Sequence, residues 1–156
     1  PSCMTGLVFV DTNVLVYRED NSDPAKQSRA QDWIALLVPH RAARISFQVL
    51  QELHAALVSK LGGISVGESR QIVRELAAWR PVSPDLAPVE HSWRLQERYR
   101  LSWWDALIVA AAHRCKCSAL LTEDLQHDQL LDEIRVVNPF RSPERTPAEV
   151  LEALPR

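Results

Sequence analysis

Two hydrophobic rhythms run along this chain. Short unbroken apolar runs alternate with longer stretches in which apolar residues return every third or fourth position. Leu-Val-Phe-Val at residues 7–10 is the clearest short run, and it ends directly on Asp11. A run this short, apolar at every position, reads as a strand buried on both faces. Similar runs at residues 44–47, 118–121 and 135–137 predict further strands, the last closed by Asn138-Pro139. Helices fill the intervals. One starts near Thr12, with Asp11 or Thr12 as its cap. The next opens at Asp23-Pro24 and runs to about residue 38, with Ala30, Trp33, Ile34 and Leu37 on one face. Val49, Leu50, Leu53, Ala56 and Leu57 mark a third, ended by Gly62-Gly63. Further helices are expected at residues 66–79, 85–100 and 103–114, with a brief extended segment at 81–84 and Ser102 opening the last helix.

Strands that alternate with amphipathic helices predict an α/β fold, with a central, mostly parallel sheet of short strands covered by helices. No internal repeat or linker divides the chain. One domain is expected over residues 4–140, followed by a tail at 141–156 that holds Pro143 and Pro147 and a helical piece at 148–154. That tail packs either on the body or on a second subunit. The chain begins without Met. Met4 reads as the natural start, with Pro1, Ser2 and Cys3 added ahead of it.

Composition narrows the classes. At 156 residues and 46% hydrophobic content the chain can bury a core of its own. No apolar run is long enough to predict a membrane span, and no basic-then-apolar opening predicts a secretory signal. Three cysteines exclude a complete disulfide framework, and Cys115 and Cys117 have the wrong spacing for a C-x-x-C pair. They read as free thiols of a reducing compartment. A net charge of −2 argues against a generic basic DNA binder without excluding nucleic acid.

Four acids stand out by position. Asp11 ends the first strand, Glu52 lies early in the helix after the second, Asp105 is in the first turn of the helix opened by Ser102, and Asp124 follows the strand ending near Leu121. In an open parallel sheet, strand ends and the following helix starts share one edge, so these four can converge there. Converged carboxylates repel one another, and a divalent cation removes the conflict. An all-oxygen set without a His and Cys cluster favours Mg²⁺ or Mn²⁺ over zinc. Such an ion lowers the pKa of a water and neutralises charge as a phosphodiester reacts. No Gly-rich phosphate loop is present.

Each acid taken alone has a plainer reading. Ser102-Trp103-Trp104-Asp105 has the form of a capping box. Glu52 sits beside an apolar face between Leu50 and Leu53, and Asp124 can cap a turn. Trp33, Trp79, Trp93 and Trp103 read as core or interface packing. Trp104, next to Asp105, is the aromatic residue placed for substrate contact. His113 reads as packed or partly exposed, and His127, nearer the acids, as a residue without a direct role.

The wording of these segments adds a resemblance. Phe9-Val10-Asp11-Thr12-Asn13-Val14-Leu15 resembles the opening of the PIN-domain nucleases, and Leu50-Gln51-Glu52-Leu53 their second acidic segment. The stretch Ser102-Trp103-Trp104-Asp105-Ala106-Leu107-Ile108-Val109 and the alanines after it is similar to the third. Leu120-Leu121-Thr122-Glu123-Asp124-Leu125 resembles the fourth, and Val136-Val137-Asn138-Pro139-Phe140 the closing strand. The likeness spans about residues 7–140, so the expected domain is PIN-like. It implies that Asp11, Glu52, Asp105 and Asp124 are catalytic, metal-binding acids. Thr12 or Asn13 would shape the site around Asp11, and Thr122 would hydrogen-bond inside it. Asp128 is a further acid by the same resemblance, in a stretch where many relatives instead carry Gly and a hydrophobic or aromatic residue.

Size and wording are most similar to the VapC-like toxins of type II toxin–antitoxin pairs. That resemblance implies a cytoplasmic homodimer that cuts structured RNA with Mg²⁺ or Mn²⁺. It also implies a small cognate antitoxin whose C-terminal segment enters the groove near the acids. Hydrolysis would leave a 5'-phosphate and a 3'-hydroxyl, with Arg and Lys side chains tracking the RNA backbone. Three alternatives stand beside it. One is a PIN nuclease of RNA processing or decay, and another a catalytically silent RNA- or protein-binding module. The third, a phosphatase-type hydrolase, is weakened by Asn13 standing where a second Asp would be needed.

Overall fold

The computed structural model describes residues 6–155, so Met4 and the Cys3 thiol lie outside the described residues. Strand β1 (Leu7–Val10) forms at the unbroken apolar run, with Val8, Phe9 and Val10 buried. Helices α1 (Thr12–Glu19) and α2 (Pro24–Leu37) follow. Pro24 sits at the start of α2, and the Asp23 side chain caps it by accepting from the Lys26 amide. Next come β2 (Ala43–Arg44), α3 (Phe47–Lys60) and α4 (Val66–Leu76). Then follow α5 (Leu86–Tyr99), α6 (Trp103–Arg114) and β3 (Cys117–Leu121). The chain closes with β4 (Leu130–Leu131), β5 (Ile134–Val137) and α7 (Pro147–Glu152).

The architecture is the expected α/β one. Five strands form one sheet in the order β2-β1-β3-β5-β4. All neighbours are parallel except β4 and β5, which pair antiparallel. The central strands carry no polar face because helices cover both sides, and Phe9, Leu120, Leu121 and Val136 are fully buried. Val10 pairs with Leu121 and Leu121 with Val137. This register brings Asp11 and Thr122, the next residues of β1 and β3, level with one another. The Asp11 amide donates to the Leu121 carbonyl, and the Thr122 amide to that of Val137.

Several boundaries differ from the sequence pattern. The strand expected at residues 44–47 is only Ala43–Arg44. Ser46 ends it by becoming the N-cap of α3, its hydroxyl accepting from the Val49 amide, so Phe47 is helical. The helix expected to reach residue 79 ends at Leu76 and tightens into a 3₁₀ turn over Ala77–Trp79. Strand β4 has no signal of its own in the pattern. It is an edge hairpin arm of two residues, turned at Asp132, whose φ is 52°. The turn is held by α5: the Tyr99 hydroxyl donates to Asp132 Oδ1, and His91 Nε2 lies 3.1 Å from Oδ2.

The segment after β5 is docked on α2. Arg29, buried at 9% exposure, donates to the carbonyls of Pro139, Ser142 and Arg145 at 2.7–2.9 Å. Trp33, fully buried, adds an indole bond to the Pro139 carbonyl. Trp79 and Trp103 are half-buried, while Trp93 stands exposed on α5 and takes no part in the core.

Candidate active site

Asp11 caps α1 as well as ending β1. Its Oδ1 accepts from the Thr12 amide at 2.7 Å, and its Oδ2 accepts from the Thr122 hydroxyl at 2.8 Å. The carboxyl group is 5% exposed. Burial drives its pKa up to about 7, against the bonds from Thr122 and Thr12, and the nearby charges of Asp124 and Glu52 push the same way.

The other acids arrive from three elements. Glu52 projects from the second turn of α3. Its Oε2 accepts from the Thr12 hydroxyl at 2.7 Å and its Oε1 from the Gln48 amide at 2.8 Å. Thr12 therefore ties α1 to Glu52, and Gln48 supports it from one helical turn below. Gln48 was not among the sequence candidates, although its spacing of four residues from Glu52 is a legible helical pair. Asp105 sits in the first turn of α6. The Ser102 hydroxyl accepts from the Asp105 amide, but no return bond from the Ser102 amide to the Asp105 carboxylate closes the box. Complete boxes do form at Ser65–Glu68 and Thr146–Glu149. The Asp105 carboxylate is thus left to the cluster. Burial raises its pKa, the Ser102 hydroxyl opposes this, and the charges of Asp124 and Glu52 raise it further.

Asp124 lies in the loop after β3. Its amide donates to Thr122 Oγ1 at 3.1 Å, and its Oδ2 accepts from Asn13 Nδ2 at 3.1 Å. Asn13 is the centre of the network. One amide nitrogen faces Asp11 Oδ2 at 3.3 Å, Thr122 Oγ1 at 3.1 Å and Asp124 Oδ2 at 3.1 Å. It carries two hydrogens for three acceptors, so the site is rich in oxygen lone pairs and short of positive charge. The structure thus gathers Asp11, Glu52, Asp105 and Asp124, with Thr12, Asn13 and Thr122 between them.

Asp128 stands apart. It has a φ of 66°, an exposed side chain 3.6 Å from His127, and no hydrogen bond to the four acids among the described residues. His127 is a packing residue, its Nδ1 accepting from the Asn138 amide. Trp104 exposes 63% of its surface beside Asp105. From the acids a groove of about 1110 Å³ runs between α1 and the α3–α4 hairpin. Its walls include Val16, Ala56, Leu61 and Ile72, with Glu19, Asp20, Glu68 and Lys60 among the charged residues that line it.

Among the described residues, no three His, Cys, Asp or Glu side chains are drawn tightly enough to enclose an ion as they stand. The donor set nevertheless suits a hard divalent cation. It is all oxygen, it includes a buried carboxyl whose pKa burial raises to about 7, and an overcommitted amide bridges two of its acids.

Comparison with known proteins bears on the family and the fold. No curated protein matches the chain. Among solved structures, a chain of a toxin–antitoxin complex from Klebsiella pneumoniae superposes with a TM-score of 0.62 at 19% identity. That match covers 85% of this chain and 97% of the other, and at this identity it speaks to the fold. The PIN domain family model matches residues 8–138, from β1 through β5 and across all four acids, and the chain belongs to the PIN-domain family.

Proposed function

We propose that the chain is a metal-dependent endoribonuclease that acts in the cytoplasm as the toxin of a toxin–antitoxin pair. The observation that carries the nuclease reading is the gathering of Asp11, Glu52, Asp105 and Asp124 within reach of one another's charge, with Asn13 bridging Asp11 and Asp124, in a family whose members are generally nucleases. Asp11, Asp105 and Asp124 are the residues that would hold Mg²⁺ or Mn²⁺, with Glu52 completing the set. The ion, when bound, supplies charge neutralisation at the phosphodiester and a water of lowered pKa.

The chain's own groups perform the rest. Thr122 and the Thr12 amide orient the Asp11 carboxylate, and both its oxygens are committed before any cation arrives. Thr12 and Gln48 hold Glu52 from opposite sides, so its carboxylate is fixed for orienting a water. The exposed Trp104 ring offers a stacking surface to an unpaired base of structured RNA. Attack of water on the scissile phosphorus breaks the bond to the 3'-oxygen and leaves a 5'-phosphate and a 3'-hydroxyl.

The toxin reading is supported by the similar solved chain, which belongs to a toxin–antitoxin complex. The groove supports it too, because Lys60 is the one basic residue among the described residues of its mixed lining, against several carboxylates and the apolar Val16, Leu61 and Ile72, which suits a protein segment better than a polyphosphate. A small antitoxin is therefore the proposed partner, and a homodimer the proposed assembly.

The test is incubation of the purified chain with total cellular RNA in Mg²⁺, Mn²⁺ or EDTA, alongside folded Asp11→Asn. Discrete fragments that need metal and vanish in the variant are expected, with 5'-phosphate ends. Cyclic phosphate ends, or cleavage that persists in EDTA, would sink the mechanism. Growth arrest on expression, relieved by the product of a small neighbouring gene, separates a toxin from a nuclease of RNA processing.

A further inference from the structure

Asp124 has the least local support of the four acids. Asp11 ends a strand, and Glu52 and Asp105 ride on helices, whereas Asp124 sits exposed in the loop after β3. Its placement depends on what fastens that loop. Three bonds come from the site itself: the Asp124 amide to Thr122 Oγ1, Asn13 Nδ2 to Asp124 Oδ2 at 3.1 Å, and the Glu123 amide to Asn13 Oδ1 at 3.4 Å.

A further fastening comes from α2. Lys26 Nζ donates to Glu123 Oε2 at 2.8 Å and to the Tyr17 hydroxyl at 3.1 Å. The ammonium lies 4.5 Å from the Tyr17 ring centroid and 5.0 Å from that of Phe140. These two rings meet edge-on at 5.0 Å. Lys26 thereby joins α1, α2 and the segment beyond β5 to the residue beside Asp124. Its own amide is held by the Asp23 cap. The ion pair is partly shielded, with side-chain exposures of 34% and 24%.

We infer that Lys26 is a positioning residue: its ion pair with Glu123, seated against the Tyr17 and Phe140 rings, fixes the loop that presents Asp124 to the cation site. The inference rests on the metal-dependent reading above. Lys26 makes no ion pair or hydrogen bond with the four acids, so it acts through Glu123 and the loop backbone. A lysine near a nuclease site has a rival task, contact with a substrate phosphate. Two of its three ammonium hydrogens are already committed to Glu123 and Tyr17, which favours positioning.

The test is Mn²⁺ binding by calorimetry on the whole chain, without RNA. Wild type is compared with Lys26→Met, Glu123→Gln and the double variant, with Asp11→Asn marking loss of the site. Methionine keeps an apolar stem against the two rings and removes the charge. Each single variant is expected to raise the Mn²⁺ dissociation constant roughly tenfold, the low end for groups that orient metal ligands. The double variant should be no weaker than either single one, because both remove the same contact. Amide hydrogen exchange at residues 122–125 should quicken in the same variants without metal, while the melting temperature stays near wild type.

Unchanged Mn²⁺ affinity and exchange in Lys26→Met would overturn the inference. So would a double variant whose loss is the sum of the two. A higher KM for RNA with a flatter salt dependence in Lys26→Met alone, and Glu123→Gln like wild type, would overturn it in favour of a phosphate contact. Failure of the underlying reading has its own signature, Mn²⁺ binding that is absent or indifferent to Asp11→Asn, and the proposal falls with it.

Discussion

At the scale of single residues, the site is governed by burial. Asp11 is held near a pKa of about 7, well above the ordinary 3.8, because its carboxyl group is enclosed. Between those values the metal-free folded chain keeps a proton that the unfolded chain has lost. Its stability therefore declines as pH rises through that window, by on the order of 4 kcal/mol at most. Urea denaturation in EDTA across pH 4.5 to 7.5 should follow this slope, and Asp11→Asn should flatten it. A wild-type profile that stays level would contradict the burial argument. Thr122 is the second test. Its hydroxyl donates to Asp11 and accepts from the Asp124 amide, so Thr122→Val leaves the buried Asp11 carboxyl and the Asp124 amide each short of a partner. Loss of about 1–3 kcal/mol in chemical denaturation is expected, together with a Mn²⁺ affinity weakened about 10- to 100-fold. Asp11 was legible in the sequence because a strand-end acid after a buried run needs a reason. Gln48 had only its four-residue spacing from Glu52 to mark it, and the central role of Asn13 breaks no local pattern.

Among the elements, boundaries followed caps more than hydrophobicity. Ile45 is fully buried and would extend β2 on pattern alone, yet Ser46 turns the chain into α3, and this places Glu52 in the second turn of that helix. The same logic separates α6 from α4 and α7. Its capping box is half-formed, so Asp105 keeps its carboxylate for the site. The tail is tied to α2 by one buried cation and one indole. Arg29 spends its guanidinium on three carbonyls of residues 139–145, and nothing in the spacing of those residues announces it. Arg29→Met should cost about 1–3 kcal/mol through the orphaned carbonyls. It should also expose residues 141–155 to limited proteolysis while β1 and β3 stay protected. A tail as resistant as wild type would mean that α7 packing alone suffices.

On the scale of the whole molecule, the sheet order decides which side chains meet. β1 lies between β2 and β3, so the ends of β1 and β3 and the starts of α1, α3 and α6 share one edge. A cation bound there links parts of the chain over a hundred residues apart and should stabilise the whole fold. At a Mg²⁺ concentration a hundredfold above the dissociation constant, the gain is about 2.7 kcal/mol, a rise of several degrees in thermal melts. Asp11→Asn and Asp124→Asn should lose most of that rise; an equal rise in both would place the ion elsewhere. The sequence by itself determined the α/β class and the main strands and helices, and it singled out the four acids as candidates. Core strands must be apolar throughout, covered helices must repeat every three or four residues, and charged groups at strand ends break those rules visibly. Only the tertiary structure decided that Asn13 joins Asp11 to Asp124, that Asp105 escapes its cap, that β4 forms at the sheet edge, and that Lys26 reaches Glu123. Each of those depends on register and close approach between distant segments, where geometry and not local composition selects the partner.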